Sequence, residues 1–461
     1  MMKRVLSILL ALALALGLAM PAVLAAAPAA PCDCGVVPEI LVPGWGHTIY
    51  LNEGTPEERP ARFVNTDDVA LGVGELLKDF SLAVLRLDWS YVAQGVGALL
   101  YSIFSETRLD AEGNSVLPIS HHWQVDPAQD HKEQPEYFFA YDWRMDPMDA
   151  GRQLNDFIQA VKAQTGHSKV AIFGESQGAC IAMAYLAQFG AGDLEAFVLG
   201  VGAFGGLTLV GDLFRGKAHL ESKAVANYLA DMVQDDTGMF AFFLNALQCL
   251  GVLDAVIRPI EYGVLPHIQR QIFDETLLPL FGFLPAIWTF VPPEDYAEAK
   301  AYFFDGREAE YETLIRTIDD YHDTVQVNAN QLLLDAQADG VRVALLAGYN
   351  KAAMPVTPRW DYQSDGLIDT ARSSGGATTA PYGQTLPRTE GKYLSPDRMI
   401  DASTCLLPDT TWFFKNNSHT TEAMQELRHW FIQGEAGQTV FSDPRYPQFM
   451  QNVDGKGVPL V

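Results

Sequence analysis

Residues 169–187, KVAIFGESQGACIAMAYLA, place Ser176 between Gly174 and Gly178. The run 170–173 is short and apolar, as in a buried parallel strand, and residues 180–187 favour a helix and contain no proline. A strand, a tight turn and a helix in this order are what a strained nucleophile elbow requires, because the glycines let the helix return closely against the strand. The alternative interpretation is a surface turn in which a serine lies between glycines by chance.

The N-terminal residues have the pattern of a secretory signal. Lys3 and Arg4 precede an apolar run at 5–20, which small residues follow. This predicts a signal peptide over residues 1–27, cleaved between residues 25 and 30, and a protein that is secreted, either free or associated with the cell surface. An uncleaved membrane anchor is the alternative. No later stretch reaches the roughly 18 consecutive apolar residues of a membrane span.

The composition is strongly acidic. The 461 residues carry a formal net charge of −26, and loss of Lys3 and Arg4 with the signal peptide gives −28. Such a chain repels nucleic acid and anionic membranes at long range, and no basic cluster opposes this effect. The expected partner is therefore a neutral or zwitterionic molecule and not a nucleic acid.

The cysteines are odd in number, with Cys32 and Cys34 at the expected mature N-terminus. An oxidising compartment predicts one or two disulfides that involve Cys32 or Cys34, and their pairing with Cys249 or Cys405 stays open. Cys180, on the helix of the opening motif, is expected to be a small buried apolar residue. No metal-ligand spacing is found, and no metal or other cofactor is predicted.

Strand and helix patterns alternate in the first part of the chain. Strand signals at 39–43, 136–144, 170–173 and 196–202 alternate with helical spacing at 69–80, 92–104 and 148–165, and Gly166 is expected to end the last helix. Residues 82–89 are a further expected strand, and 111–114 an expected turn. This alternation predicts a mostly parallel α/β sheet with crossover helices.

The pattern changes after residue 203. Residues 204–330 have helical segments and few strand signals, and they include LLPLFGFLPAIWTFVPP at 277–293. This stretch is interpreted either as the core of a helical insertion or as a cap that lines an acyl-chain site, and the two are compatible. The sheet resumes at 341–348 and ends at 411–414, before a terminal helix at 421–432. The predicted core is therefore residues 36–203 and 331–461, and the predicted cap is 204–330.

A serine nucleophile needs a base, and the base needs a carboxylate, in the chain order serine, acid, histidine for this type of sheet. Only His419 and His429 follow all expected strands, and His429 lies within a predicted helix. His419 is therefore the candidate base, with an exposed loop histidine as the alternative. Asp361, Asp365 and Asp369 follow the strand at 341–348. Asp365, in the turn SDGLI, is the preferred acid, and Asp369 is the runner-up.

An oxyanion hole needs two preorganised backbone N–H groups. One is expected from Gln177, directly after Ser176. The other is expected from Trp45 in the loop PGWG at 43–46, where Gly44 lets the backbone approach the substrate.

Several short motifs resemble the lecithin:cholesterol acyltransferase family, which includes phospholipid:diacylglycerol acyltransferases and bacterial lipase-like relatives. They are ILVPGWG at 40–46, YDWR at 141–144, GESQG at 174–178, LPAIWTFVP at 284–292, and SDGLI at 364–368 with a late histidine. The resemblance implies an α/β-hydrolase fold with a helical cap or lid, and acyl transfer from a lipid ester without a cofactor. It implies that Ser176, Asp365 and His419 form the triad and that Trp45 and Gln177 form the oxyanion hole.

This chain departs from that family beside the nucleophile. Glu175 stands where the family mostly has histidine, and Gln177 where it often has leucine or methionine. The aspartate motif is closer to that of bacterial lipases. We therefore expect a secreted serine lipase or esterase that cleaves carboxylic esters of lipids. The alternatives are an acyltransferase that passes the acyl group to an alcohol, and a catalytically inactive lipid-binding surface protein.

Overall fold

The computed structural model describes residues 30–46, 48–63, 69–233 and 239–461, so the predicted signal peptide lies outside the described residues. A central sheet contains eight strands: β1 (Glu39–Val42), β2 (Glu136–Phe138), β3 (Val170–Glu175), β4 (Leu194–Gly200), β5 (Arg342–Tyr349), β6 (Thr411–Lys415), β7 (Phe449–Val453) and β8 (Lys456–Pro459). Their order across the sheet is β8-β7-β6-β5-β4-β3-β1-β2. Strands β1 to β7 run parallel, and β8 pairs antiparallel with β7 at one edge. The mostly parallel α/β architecture predicted from the sequence is confirmed.

Both faces of the sheet are covered, as its continuous apolar strands require. Ile172 in β3 packs into the core on one face, while the next residue, Phe173, packs into the core on the other face, in the cluster that also contains Trp412. The α-helices are Val69–Arg86, Ser90–Phe104, Pro147–Thr165, Gln177–Phe189, Thr208–Phe214, Ser222–Met232, Met239–Cys249, Val252–Pro259, Leu265–Ile272, Tyr296–Phe304, Glu312–Tyr321, Ala329–Ala338, Thr370–Ser373 and Gln425–Gln433. The helix Pro147–Thr165 ends at Gly166 with a φ of 74°, as predicted.

Three strand predictions are wrong or too long. Residues 82–89 include the end of the helix Val69–Arg86, and burial there is helical: Ala83 is fully buried, whereas Val84 and Leu85 are exposed. The expected strand at 136–144 stops at Phe138, after which the chain turns. The strand at 411–414 is not the last, because β7 and β8 follow the terminal helix as a hairpin.

The described residues between β4 and β5, at 201–233 and 239–341, form helices joined by turns and loops, and they contain no strand. No single helix of the described residues is long and apolar enough to cross a membrane. Only the pair Met239–Cys249 and Val252–Gly282, taken together across a bend of 71°, meets that criterion of length and composition.

Candidate active site

Ser176 lies on a strained turn between the end of β3 and the helix Gln177–Phe189. Its φ of 53° and ψ of −118° are unfavourable for a residue with a side chain, and such strain often marks functional positions. A Cβ atom on Gly178 would lie 1.9 Å from the carbonyl oxygen of Val42, and one on Gly174 would lie 2.9 Å from the Cα atom of Ala179. The two glycines of the motif are therefore needed for this close return of the chain.

His419 and Asp365 meet Ser176 at the carboxyl ends of the strands. The Nε2 atom of His419 lies 3.0 Å from Oγ of Ser176, and its Nδ1 atom lies 2.8 Å from Oδ2 of Asp365. Both contacts have the length of hydrogen bonds. The three side chains thus form one continuous chain of hydrogen-bonding groups, although they come from positions far apart in the sequence.

The turn SDGLI holds the carboxylate of Asp365 in a single orientation. Its Oδ1 atom accepts hydrogen bonds from the backbone N–H groups of Leu367 and Ile368, at 3.0 and 2.7 Å. The backbone carbonyl of Asp365 also accepts the N–H of His419, at 3.0 Å. With one oxygen held by backbone and the other facing His419, the carboxylate is positioned to fix the orientation of the imidazole ring.

The other candidate residues lie apart from this chain of contacts. The carboxylate of Asp369 accepts hydrogen bonds from the backbone N–H and the hydroxyl of Thr208, and burial raises its pKa above the usual value. Asp361 is exposed, and so is His429, on the helix Gln425–Gln433. The geometry therefore separates Asp365 from its runner-up Asp369, which the sequence left open.

Opposing effects act on the pKa of His419. Burial lowers it, but the carboxylate of Asp365 raises it by its charge and by its hydrogen bond, and Glu175 adds a smaller increase. The net result is a pKa above the usual value. The side chain of His419 is nevertheless 26% exposed.

Trp45 and Gln177 lie beside Ser176 as expected. A Cβ atom on Gly44 would lie 2.8 Å from Cβ of Ser176, so the loop that carries Trp45 touches the serine. Gln177 is the first residue of its helix, where a backbone N–H has no partner within the helix. Among the described residues, neither the N–H of Trp45 nor that of Gln177 donates a hydrogen bond. Both donors are thus available near Ser176.

The motif YDWR, for which sequence reasoning gave no chemical role, supports this loop. The hydroxyl of Tyr141 donates to the carbonyl of Pro43, at 2.7 Å. The side-chain amide of Gln177 donates to the carbonyl of Trp143, at 2.8 Å. Arg144 is buried and forms a two-pronged ion pair with Asp142.

An apolar cavity of about 450 Å³ opens at Ser176. Its lining comes from the sheet side and from the helical stretch between β4 and β5, and apart from Ser176 it is almost entirely aliphatic and aromatic. Four residues of the predicted apolar stretch at 277–293 take part: Leu277, Phe281, Ile287 and Phe290. Most of the other residues of that stretch are buried in the core.

The predicted disulfides are not formed. All five cysteines are free, and Cys32 and Cys34 contact histidines instead. Cys180 is fully buried, as predicted, and burial raises the pKa of its thiol to about 11.

The chain matches no known family model and no curated protein in sequence.

Proposed function

We propose that this protein is a serine carboxylic-ester hydrolase with an α/β-hydrolase fold, acting on lipid esters. The observation that carries the proposal is the hydrogen-bonded series Ser176, His419 and Asp365 at the mouth of an apolar cavity. A serine, its base and an orienting acid in this arrangement are the groups that acyl transfer through a covalent intermediate needs.

In the proposed reaction, Oγ of Ser176 attacks the ester carbonyl carbon while Nε2 of His419 takes its proton. The negative charge that develops on the carbonyl oxygen is stabilised by the N–H groups of Trp45 and Gln177. The bond to the leaving alcohol then breaks, and His419 gives the alcohol its proton. Water attacks the resulting acyl-enzyme with His419 again as the base, which releases the fatty acid and restores the serine.

The proposed substrate class follows from the cavity. It offers aliphatic and aromatic side chains and almost no polar group to bind a sugar or a peptide, so an acyl chain is the occupant that its chemistry favours. Its wall from residues 204–330 supports the cap of the predicted domain arrangement. The resemblance to lecithin:cholesterol acyltransferases and bacterial lipases is consistent with this proposal.

Exposed apolar side chains on the proposed cap also support a lipid substrate. Phe242, Leu250 and Tyr262 are each more than two-thirds exposed. They belong to the stretch between β4 and β5, other parts of which line the cavity. A transient contact of this surface with lipid aggregates would bring an ester to the cavity mouth.

The test is hydrolysis of p-nitrophenyl esters with acyl chains of two to sixteen carbons. Ser176→Ala and His419→Asn should each lower kcat by a factor of about 10³ or more, while His429→Asn, a change at an exposed histidine, should keep wild-type activity. Preference for long chains would support the cavity as the acyl site. Activity that survives Ser176→Ala would contradict the mechanism.

The same assay distinguishes the alternatives when an added alcohol competes with water. Formation of a new ester at the expense of free acid would identify an acyltransferase using the same residues. Retained lipid in the purified protein, with no turnover and no labelling of Ser176 by a fluorophosphonate, would identify a lipid-binding protein instead.

A further inference from the structure

Four side chains of types that can bind a metal meet near the amino ends of the strands, opposite the end where Ser176 lies. They are Cys32, Cys34, His131 and His167, and one ligand atom from each lies within 4.8 Å of all the others. Nε2 of His131 lies 3.5 Å from Sγ of Cys32 and 3.4 Å from Sγ of Cys34. Nε2 of His167 lies 3.5 Å from Sγ of Cys34 and 3.2 Å from Nε2 of His131.

The sheet topology explains why these distant residues meet. Strands β3, β1 and β2 are parallel neighbours, so the residues that precede them lie at one edge of the sheet. Cys34, His131 and His167 each come a few residues before one of these strands. Ser176 follows β3 at the opposite edge. The cluster is therefore separate from the candidate active site.

The distances match the edges of a tetrahedral zinc site. With Zn–N of about 2.0–2.1 Å and Zn–S of about 2.3 Å, two nitrogens around tetrahedral zinc lie about 3.3 Å apart, and a sulfur and a nitrogen about 3.6 Å apart. The separation of 3.2 Å for the nitrogen pair and those of 3.4–3.5 Å for three of the four sulfur–nitrogen pairs agree with these values. Two sulfurs and two nitrogens in this geometry are typical of zinc.

We propose that Cys32, Cys34, His131 and His167 bind a structural Zn²⁺ ion. Four protein ligands leave no open position for substrate, which is the arrangement of structural rather than catalytic zinc. Two thiolates and two neutral imidazoles balance the charge of the ion. Sequence reasoning missed the site because Cys-x-Cys is a weak signal and the histidines are about a hundred residues away.

The ion would fasten the N-terminal segment to the sheet. The N–H of Cys32 already donates to the carbonyl of Gly166, at 3.0 Å, next to the ligand His167. His131 is buried, on the loop before β2. A metal that joins these three segments would replace a disulfide as the cross-link at the start of the mature chain, and it would stabilise the folded state by binding to that state alone.

The experiment measures metal content by mass spectrometry in the purified protein, after exposure to zinc under reducing conditions and removal of free metal. We expect one zinc per chain in the wild type and in Cys249→Ser, which changes an exposed cysteine outside the cluster. The double variant Cys32→Ser/Cys34→Ser should retain less than about a tenth of that amount. A strong chelator should lower the melting temperature of the first two proteins and leave that of the double variant unchanged.

Cobalt substitution tests the ligands directly and does not depend on esterase activity. Co²⁺ in the wild type and in Cys249→Ser should give thiolate-to-metal charge-transfer bands and the visible bands of tetrahedral cobalt, and both should be lost in the double variant and in His167→Asn. Three results would overturn the proposal: no bound metal after reconstitution, equal zinc in the double variant and the wild type, or a Cys32–Cys34 disulfide in metal-free native protein. Failure of the ester assay leaves this result unaffected.

Discussion

The hydroxyl of Tyr141 donates a hydrogen bond of 2.7 Å to the carbonyl oxygen of Pro43, and both residues are buried. Pro43 directly precedes Gly44 and Trp45, so this bond fixes the start of the loop that carries one proposed oxyanion donor. The tyrosine contacts neither Ser176 nor His419 by a hydrogen bond. We infer that Tyr141 is a positioning residue.

Replacement of Tyr141 by phenylalanine should therefore lower kcat more than it changes KM. We expect kcat to fall by roughly tenfold, because the Trp45 N–H would lose part of its alignment with the transition state, and stability to fall by about 1 kcal/mol. Steady-state kinetics and thermal unfolding measure the two effects. Tyr393→Phe is the matched control, since it loses a phenol hydrogen bond to Asp409 on an exposed loop. An equal loss of kcat in both variants would contradict the positioning role.

The raised pKa of His419 predicts the acid limb of the activity profile. His419 must be neutral to accept the proton of Ser176, so kcat/KM should fall as the pH drops through its pKa, with a midpoint above the usual 6.5. The raised pKa also means that this group stabilises the fold below pH 6.5 and that this contribution is lost as the pH rises through the folded-state value. A pH series of kcat/KM measures the midpoint.

The same argument predicts the effect of Asp365→Asn. Without the carboxylate, only the smaller effect of Glu175 opposes burial, so the pKa of His419 should fall below that of the wild type, and kcat should fall by a factor of about 10⁴. NMR titration of the histidine ring measures the pKa in the variant. Asp361→Asn, a change at an exposed aspartate, should leave both quantities unchanged. A His419 pKa that is the same in wild type and Asp365→Asn would refute the assigned cause.

The region around Ser176 could be predicted because its signals are local. A short apolar run, two glycines and a helix-forming run encode the strand, turn and helix in fewer than twenty residues. Each glycine is then explained by one close approach, such as that of Gly178 to Val42. The expected chain order of serine, acid and histidine further reduces the number of candidates for the acid and the base, because few aspartates and histidines follow the correct strands.

The turn SDGLI favours Asp365 over Asp369, but the sequence keeps Asp369 as an alternative because both aspartates follow the same strand. The acid is the aspartate whose carboxylate the turn directs toward His419. The N–H groups of Leu367 and Ile368 orient the carboxylate of Asp365 in this way, because both donate to its Oδ1 atom. The final hairpin was missed for a different reason. Its Asp454-Gly455 turn, with both residues at positive φ, is a strong hairpin signal, but it follows the terminal helix, where the predicted sheet has already ended.

Gly44 offers a test of the oxyanion loop that does not alter a polar group. An added methyl group at this position would lie 2.8 Å from Cβ of Ser176, so Gly44→Ala should displace the loop or the serine. We expect kcat/KM to fall by about 10² and the protein to stay folded. Gly74→Ala, where nothing lies within 4 Å of the added atom, is the control and should keep full activity. Unchanged kinetics in Gly44→Ala would show that this loop does not shape the site.

A buried ion-pair network should hold the proposed cap on the sheet. Asp212, in the helix Thr208–Phe214, and Asp295 both pair with Arg359, which follows β5. Asp212 is fully buried and pairs with both Arg215 and Arg359, each of which keeps Asp295 as a second partner. Asp212→Ala therefore removes one of two buried counter-charges and should destabilise the protein by about 1.5–3 kcal/mol. Glu310→Ala, which breaks the exposed pair with Arg307, should cost at most about 1 kcal/mol. Denaturant unfolding of both variants gives the comparison, and equal midpoints would show that the buried network contributes no more than a surface pair.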